Sequence, residues 1–317
     1  MSILGYPAHL ADAARRTFIQ NCIASDQPRM DSVVFPEGVK VESDLPYAEG
    51  LPLPAPLAPD SVSEGSALCS SERNLDIYTP DNAKEKEVFL LIHGGAFVYG
   101  CKELDKEFGM HLALRSGITV ANMNYRLLPG TDLQGILQDI FAAVSFLNER
   151  GFTTFHTIGD SAGGYLCVLT AILMNNKEAR EKCGITDFNC NVRCESTHPI
   201  CGDFRESPRK FAGIYFDPQK KMPAFIYNLF EAVKEFGCPS VVVTTGDQDM
   251  MFKQNYWFVD RLTTMDHPFR YYCATSTEDR PMHHVFSIVH PTWPESIASM
   301  DLTCTVIKEL EKQRDLD

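Results

Sequence analysis

Ser161 stands in the segment Gly159-Asp160-Ser161-Ala162-Gly163-Gly164, which matches the G-x-S-x-G pattern around a nucleophilic serine. The apolar stretch Phe155–Ile158 precedes it and a helical pattern follows, so the serine is expected on a sharp strand-to-helix turn. The N-terminus of such a helix stabilises negative charge that develops beside the serine. A Gly-rich packing loop is the alternative interpretation, but the position between a strand and a helix favours a nucleophile.

A second pair of glycines follows another strand candidate, in the segment His93-Gly94-Gly95-Ala96. Adjacent glycines allow the N–H groups of Gly94 and Gly95 to turn toward a substrate carbonyl. Together with the N–H of Ala162 they would form an oxyanion hole, which stabilises the charge of a tetrahedral intermediate. A tight turn is the alternative for the glycines. For His93 itself a loop-shaping role is favoured.

Two acids and two histidines are candidates for the partners of the serine. Asp247 and Asp249 both follow the apolar stretch Ser240–Thr245, and His283 and His284 are adjacent further along the chain. A general base must lie within hydrogen-bond reach of the serine, so one member of each pair is expected to act. The chain order serine, acid, histidine is the order expected for a nucleophile on this kind of turn.

Short apolar stretches alternate with helical patterns along most of the chain. The strand candidates are Leu75–Tyr78, Val88–Ile92, Thr119–Asn122, Thr153–Ile158, Val192–Glu195, Ser240–Thr245 and Phe269–Ala274. The helical candidates are Ala8–Ile23, Leu133–Arg150, Ala162–Met174, Asn255–Met265 and Ile297–Gln313. This alternation predicts an α/β fold with a mostly parallel sheet that is covered by helices on both faces. Such sheets bind ligands at the carboxyl ends of their strands, where the candidate residues lie.

With these motifs the chain resembles the hormone-sensitive-lipase-like branch of the α/β hydrolases, which includes many bacterial carboxylesterases. Three further segments agree with the resemblance, which covers roughly Leu75 to Lys312. They are Asn124-Tyr125-Arg126-Leu127-Leu128-Pro129, Asp139 in the following helix, and His284-Val285-Phe286, which is similar to the His-x-Phe motif of the branch.

The resemblance implies a catalytic triad of Ser161, Asp249 and His284, with Asp247 as a turn-forming residue and His283 on the surface. The reaction expected of such a triad requires no cofactor. No metal site is predicted, because the sequence has no CxxC pair and no Cys/His cluster with zinc-like spacing. Two positions depart from the pattern of the branch: Ala96 replaces a frequent third glycine, and Met250-Met251 follow Asp249 where Pro-Leu is usual. The first change alters the room for a bulky alcohol.

The resemblance also implies a small helical cap and a division of the chain into parts. We expect an N-terminal cap helix and linker in residues 1–66, where Leu51–Ser66 is rich in Pro, Ser and Gly. The α/β-hydrolase domain is predicted in 67–200 and 237–317, and a cap insertion in 201–236. Aromatic residues in that insertion would shape the pocket or pack an inserted helix; they are Phe211, Tyr215, Phe216, Phe225, Tyr227 and Phe230.

Composition narrows the class of partner. The net charge of -13 argues against binding to nucleic acid or to an anionic membrane surface. The 11 cysteines show no framework and several lie in apolar stretches, which favours free thiols in a reducing compartment. The N-terminus has no positively charged region followed by a long apolar run, so a cytoplasmic location is expected. The oligomeric state stays open.

The sequence therefore predicts a serine carboxylesterase that acts on small, short-chain acyl esters through an acyl-enzyme intermediate. Two alternatives remain at this point. An amidase or peptidase would use the same triad, and some members of the fold bind ligands without catalysis after losing the histidine. The physiological ester and the enantiopreference are not indicated by any motif.

Overall fold

The computed structural model describes residues 8–48, 73–204 and 213–316. The segment Leu51–Ser66, predicted as a linker, lies outside these residues, and so do residues 205–212 of the predicted cap insertion.

The strands of the described residues form one eight-stranded sheet. They are β1 (Val39–Pro46), β2 (Asn74–Pro80), β3 (Glu87–Ile92), β4 (Thr119–Met123), β5 (Thr154–Asp160), β6 (Arg193–Ile200), β7 (Ser240–Gly246) and β8 (Phe269–Ala274). Their order across the sheet is β1-β2-β4-β3-β5-β6-β7-β8. Neighbouring strands from β4 to β8 are parallel, whereas β2 is antiparallel to β4 and β1 to β2. The predicted α/β class with a mostly parallel sheet is confirmed.

Helices connect these strands and cover both faces of the sheet. They are α1 (Ala8–Met30), α2 (Lys102–Ser116), α3 (Leu133–Glu149), α4 (Ala162–Asn175), α5 (Lys177–Lys182), α6 (Gly213–Phe216), a 3₁₀ helix (Ala224–Tyr227), α7 (Leu229–Phe236), α8 (Phe252–Thr264), α9 (Phe286–Val289) and α10 (Pro294–Arg314). Within the described ranges, none of these helices combines the length and apolar character that crossing a bilayer requires.

Strand β3 shows how the two faces are filled. All of its residues are buried, because helices cover the sheet on both sides. Leu90 and Ile92 pack in the cluster that contains the buried faces of α3 and α4. Phe89 and Leu91 point the other way, into the cluster formed with α2 and α10. The strand is thereby fixed from both sides, and so is the loop that leaves its carboxyl end.

Two findings differ from the sequence-based expectations. Residues 39–46, which fall in the predicted N-terminal cap and linker, form the edge strand β1 of the sheet itself. Nine described cysteines are free, as expected, but Cys101 is in a disulfide bond.

Candidate active site

Ser161 occupies the single-residue turn between β5 and α4. Its φ of 50° and ψ of -113° are unfavourable for a residue with a side chain, and the surrounding backbone holds them. The Ser161 N–H donates to Ile200 O at 2.9 Å, and Ser161 O accepts from the Asp203 N–H at 3.0 Å. A Cβ atom at Gly163 would lie 1.9 Å from Ile92 O, so only glycine allows the turn to approach the end of β3 this closely.

A chain of hydrogen bonds joins the three residues predicted as a triad. His284 Nε2 lies 3.0 Å from Ser161 Oγ, and His284 Nδ1 lies 2.7 Å from Asp249 Oδ1. Asp249 cannot donate when ionised, so Nδ1 carries the ring proton and Nε2 is left to accept the proton of Ser161. This is the geometry that a general base needs in order to activate a serine.

Asp249 is buried in the loop just after β7, and three donors surround its carboxylate. Besides His284, Thr245 Oγ1 donates to Oδ2 at 2.9 Å and the Met251 N–H donates to Oδ1 at 2.9 Å. Burial by itself would raise the pKa of Asp249, but these hydrogen bonds and the charge of His284 outweigh it and lower the pKa. The group is therefore an anion that can orient the imidazole and stabilise its protonated form.

The competing candidates lie away from Ser161. Asp247 is exposed and its Oδ2 accepts from the Ser276 N–H at 3.0 Å, while Oδ1 accepts from the Ser276 hydroxyl. His283 is exposed as well. The structure thus brings Asp249 and His284 to Ser161 and places their neighbours in sequence at the surface.

The predicted oxyanion loop lies beside Ser161, between β3 and α2. Gly95 has a φ of 97°, and a Cβ there would lie 2.0 Å from Tyr99 O. In the part of the chain that the structure describes, the N–H groups of Gly95, Ala96 and Ala162 donate to no backbone carbonyl. The Gly94 N–H, in contrast, donates to the Asp160 carboxylate, which takes this amide away from the role predicted for it. Ala96 was not predicted as a donor, although its amide lies in the same loop.

His93 is buried within this loop and does not reach the triad. Its ring stacks on Tyr125 with centroids 4.2 Å apart, and its Nδ1 donates to Gly94 O at 2.9 Å. The Tyr125 hydroxyl donates to His93 O at 2.9 Å. Burial lowers the pKa of His93 to about 4, so the ring is neutral and acts as a spacer that shapes the loop.

A cavity of about 640 Å³ opens in front of Ser161 and His284. Helix α1, which lies in the predicted N-terminal cap segment, forms one wall of it through Phe18, Cys22, Asp26 and Arg29. Two hydrogen bonds fasten this wall: the Tyr99 hydroxyl donates to Asp26 Oδ2 at 3.0 Å, and Arg29 Nη1 donates to Leu104 O at 2.9 Å.

The described part of the predicted cap insertion comprises residues 201–204 and 213–236. Asp203 lines this cavity, whereas none of residues 213–236 does. Phe216 is buried against Phe97 with ring centroids 5.2 Å apart, and the Tyr165 hydroxyl donates to Ile226 O at 2.6 Å. These residues pack on α4 and the core beneath it. Phe211 lies outside the described residues.

Three ligand-type atoms meet at the triad. Cys201 Sγ lies within 4.8 Å of Asp249 and His284 ligand atoms, among the residues that the structure describes. Asp249 and His284 are hydrogen-bonded to each other, and burial and the charge of Asp249 raise the pKa of the Cys201 thiol well above its ordinary value. The thiol is therefore protonated and is not a ready metal ligand.

Solved structures share this architecture over almost the whole chain. Esterase B from Lactobacillus rhamnosis, in a structure described as inhibited by a C4-C4 tributyrin phosphonate, is 24% identical, with a TM-score of 0.81 and coverage of 98% of both chains. An esterase of the bacterial hormone-sensitive lipase family is 18% identical, with a TM-score of 0.64 and coverage of 98% of this chain and 94% of the other. The protein therefore has the α/β-hydrolase fold.

Sequence comparison adds a narrower match to part of the chain. Residues 75–200, which carry the predicted oxyanion loop and Ser161, match the BD-FAE family. The isoprenylcysteine α-carbonyl methylesterase ICME of Arabidopsis thaliana is 30% identical over 113 residues, which cover 33% of this chain and 26% of that protein. The match thus spans about a quarter of the length of this plant relative.

Proposed function

We propose that the protein hydrolyses carboxylic esters with Ser161 as its nucleophile. The observation that carries the proposal is the unbroken contact from Ser161 Oγ through His284 to Asp249, with distances of 3.0 and 2.7 Å. Support also comes from the esterases among the similar proteins, which share the fold and part of the sequence.

In the first step His284 Nε2 takes the proton of Ser161 while Oγ attacks the ester carbonyl carbon. Asp249 stabilises the imidazolium that forms. The carbonyl oxygen gains the negative charge, and the free amides of Gly95, Ala96 and Ala162 are the proposed donors to it. The imidazolium then protonates the alkoxide, which leaves as the alcohol, and an acyl-Ser161 ester remains. Water attacks this ester in the reverse sequence of proton transfers and releases the acid.

We further propose small esters with short acyl chains as substrates. The cavity of about 640 Å³ is enclosed on one side by α1, and its apolar lining includes Phe18, Leu104 and Ile288. Each methylene buried there gains ~0.8 kcal/mol, but only while the cavity has room for it. The tributyrin phosphonate named for esterase B also carries short acyl groups, and we extend that preference to this chain as a proposal.

A p-nitrophenyl series from acetate to palmitate tests activity and chain length together, with the Ser161→Ala variant as the blank. We expect kcat/KM to peak between acetate and about hexanoate and then to fall. A peak at decanoate or longer would contradict the enclosed pocket. p-Nitroanilides of the same acids distinguish an amidase, and absence of turnover with every substrate would favour a ligand-binding role.

The remaining proposals concern the partners and the cellular location of the protein. Its net charge of -13 supports a small-molecule partner and not nucleic acid or an anionic membrane. A cytoplasmic location is proposed from the free cysteines, although the disulfide of Cys101 is typical of an oxidising compartment. Fractionation of the native host, with alkylation of its thiols at lysis, decides between the two compartments.

A further inference from the structure

A pair of buried acids lies beside Ser161, outside the proposed triad. Asp160 is the last residue of β5 and Asp105 belongs to the first turn of α2. They are 6% and 2% exposed, and their carboxyl groups are hydrogen-bonded to each other. Two ionised carboxylates cannot share such a contact, because at least one must supply a proton.

The unpaired oxygens of the two side chains point to the same conclusion. Among the described residues, Asp105 Oδ2 and Asp160 Oδ1 are buried and meet no other hydrogen-bond donor. A proton held between the two groups supplies the missing donor. Burial raises the pKa of Asp160 to about 6, and burial together with the charge of Asp160 raises the pKa of Asp105 well above its ordinary value. Asp105 is therefore the partner that carries the proton.

The other side of Asp160 supports the oxyanion loop. The Gly94 N–H donates to the Asp160 carboxylate. A Cβ atom at Gly94 would lie 2.3 Å from Asp160 Oδ2 and 2.9 Å from Asp160 O, so the loop rests directly on this residue. The opposite side of the loop is held by the stacked pair of His93 and Tyr125. Asp160 thus supplies one of the contacts between the loop and the rest of the domain.

We propose that Asp160 is a positioning residue that holds the oxyanion loop through the Gly94 N–H, and that Asp105 acts through Asp160 by donating a hydrogen bond to it. The amides of Gly95 and Ala96 follow directly in the chain, so the orientation of Gly94 sets theirs. This inference rests on the proposed function and deepens it, because it assigns a role to two acids that touch no reacting atom.

The expected loss of kcat in Asp160→Ala can be scaled from the cost of losing an oxyanion donor. Loss of one oxyanion donor costs about 10²–10³ in kcat. The Asp160→Ala variant keeps the oxyanion donors but loses one contact that positions their loop. We therefore expect it to lower kcat by about 10–100-fold. KM should change by less than about threefold, because the loop acts on the charge that develops after binding.

The conservative variant separates hydrogen bonding from charge. In Asp160→Asn the amide oxygen still accepts from the Gly94 N–H, although the charge is gone. We expect this variant to keep kcat within about fivefold of the wild-type value. Asp160 also lies near enough to His284 for their charges to interact. If Asp160 acted on catalysis through its charge near His284, Asp160→Asn would lose as much activity as Asp160→Ala.

A double-mutant cycle tests the relation between the two acids. Asp105→Ala should lower kcat less than Asp160→Ala does, and Asp105→Ala/Asp160→Ala should be no slower than Asp160→Ala alone. Additive losses would show that Asp105 acts independently. Asp105→Asn is the matched control, because its amide still donates to Asp160.

The complete experiment measures kcat and KM for p-nitrophenyl butyrate and the inhibition constant of a trifluoromethyl ketone, which forms a tetrahedral adduct with the serine. The loss of inhibitor affinity should follow the loss of kcat across the variants, and melting curves identify any variant that does not fold. Asp160→Ala at the wild-type kcat, or Asp160→Asn as slow as Asp160→Ala, overturns the inference while an active wild type leaves the proposed function intact. An inactive wild type would defeat both.

Discussion

Two buried carboxyl regions flank Ser161, and the structure holds them in opposite states. Asp249 accepts hydrogen bonds from His284, Thr245 and Met251, and these lower its pKa. Asp160 instead faces a second acid, Asp105, and burial raises its pKa to about 6. The same residue type thus serves as an anion on one side of the serine and as half of a proton-sharing pair on the other.

The difference comes from the number and kind of donors in each region. Asp249 receives a hydroxyl from β7, a backbone amide from the loop after β7 and the imidazole of His284. At the end of β5, the buried carboxylate of Asp160 has a backbone amide and a carboxyl group as its donors. Charge is therefore available where an imidazolium must be stabilised, and it is reduced close to the proposed oxyanion site.

The largest loss of activity is expected when the imidazole that Asp249 orients is removed. We expect His284→Asn to lower kcat by about 10⁵–10⁶-fold, because no other described side chain lies within hydrogen-bond distance of Ser161 Oγ. Turnover of p-nitrophenyl butyrate by the folded variant measures the loss. His283→Asn is the matched control and should retain nearly full activity, since His283 is exposed. The reverse pattern would contradict the assignment of the base.

A smaller loss is expected from Asp249→Asn, about 10³–10⁴-fold in kcat, because the amide can favour the wrong imidazole tautomer without displacing the ring. The control is Asp247→Asn, which changes an exposed residue bonded to Ser276. Steady-state kinetics of both variants give the comparison. Equal losses in the two variants would remove the distinction that the structure draws between these acids.

The two regions should also respond to pH with opposite signs. Between the ordinary aspartate pKa of about 3.9 and the raised value of about 6, folded Asp160 holds a proton that the unfolded chain has released. The stability that this proton contributes is present at low pH and is lost as the pH rises through about 6. The Tm of the wild type relative to Asp160→Asn should therefore fall by a few degrees from pH 4 to pH 7.

The pKa of Asp249 is lowered, so its contribution to stability has the reverse dependence. It is present above the ordinary aspartate pKa and is lost as the pH falls through the lowered value. The Tm of the wild type relative to Asp249→Asn should rise with increasing pH at about pH 4 and below, where the ordinary and the lowered pKa values of the carboxyl group differ. Melting curves in matched buffers test both signs, and parallel trends for the two variants would contradict the comparison.

Much of the fold could be predicted because buried strands in a parallel sheet are nearly continuous apolar runs. Strand β1 was missed because it is an edge strand with mostly exposed residues, so no apolar pattern marks it. Helix α2 was missed as well: its buried side includes Lys102 and Asp105, which break the apolar stripe that indicates an amphipathic helix. Tertiary contacts stabilise these two elements, and a single sequence does not display them.

The candidate triad could be named because its motifs are local, but the acid pair could not. Asp160 stood inside the serine motif as a variable position, and its partner Asp105 lies on the helix that was missed. Only the fold brings the two carboxyl groups together. The same holds for Phe18 and Cys22, whose position on the cavity wall depends on how α1 packs.

The proposed mechanism requires Ser161 as the nucleophile, and covalent labelling tests this requirement directly. A fluorophosphonate reacts with a serine whose proton is taken by an adjacent base, and the adduct is stable enough for mass spectrometry. We expect one adduct per chain, on the peptide that contains Ser161, with no labelling of Ser161→Ala and strongly slowed labelling of His284→Asn. A label on another residue, or a Ser161→Ala variant that is still labelled at the wild-type rate, would contradict the central claim.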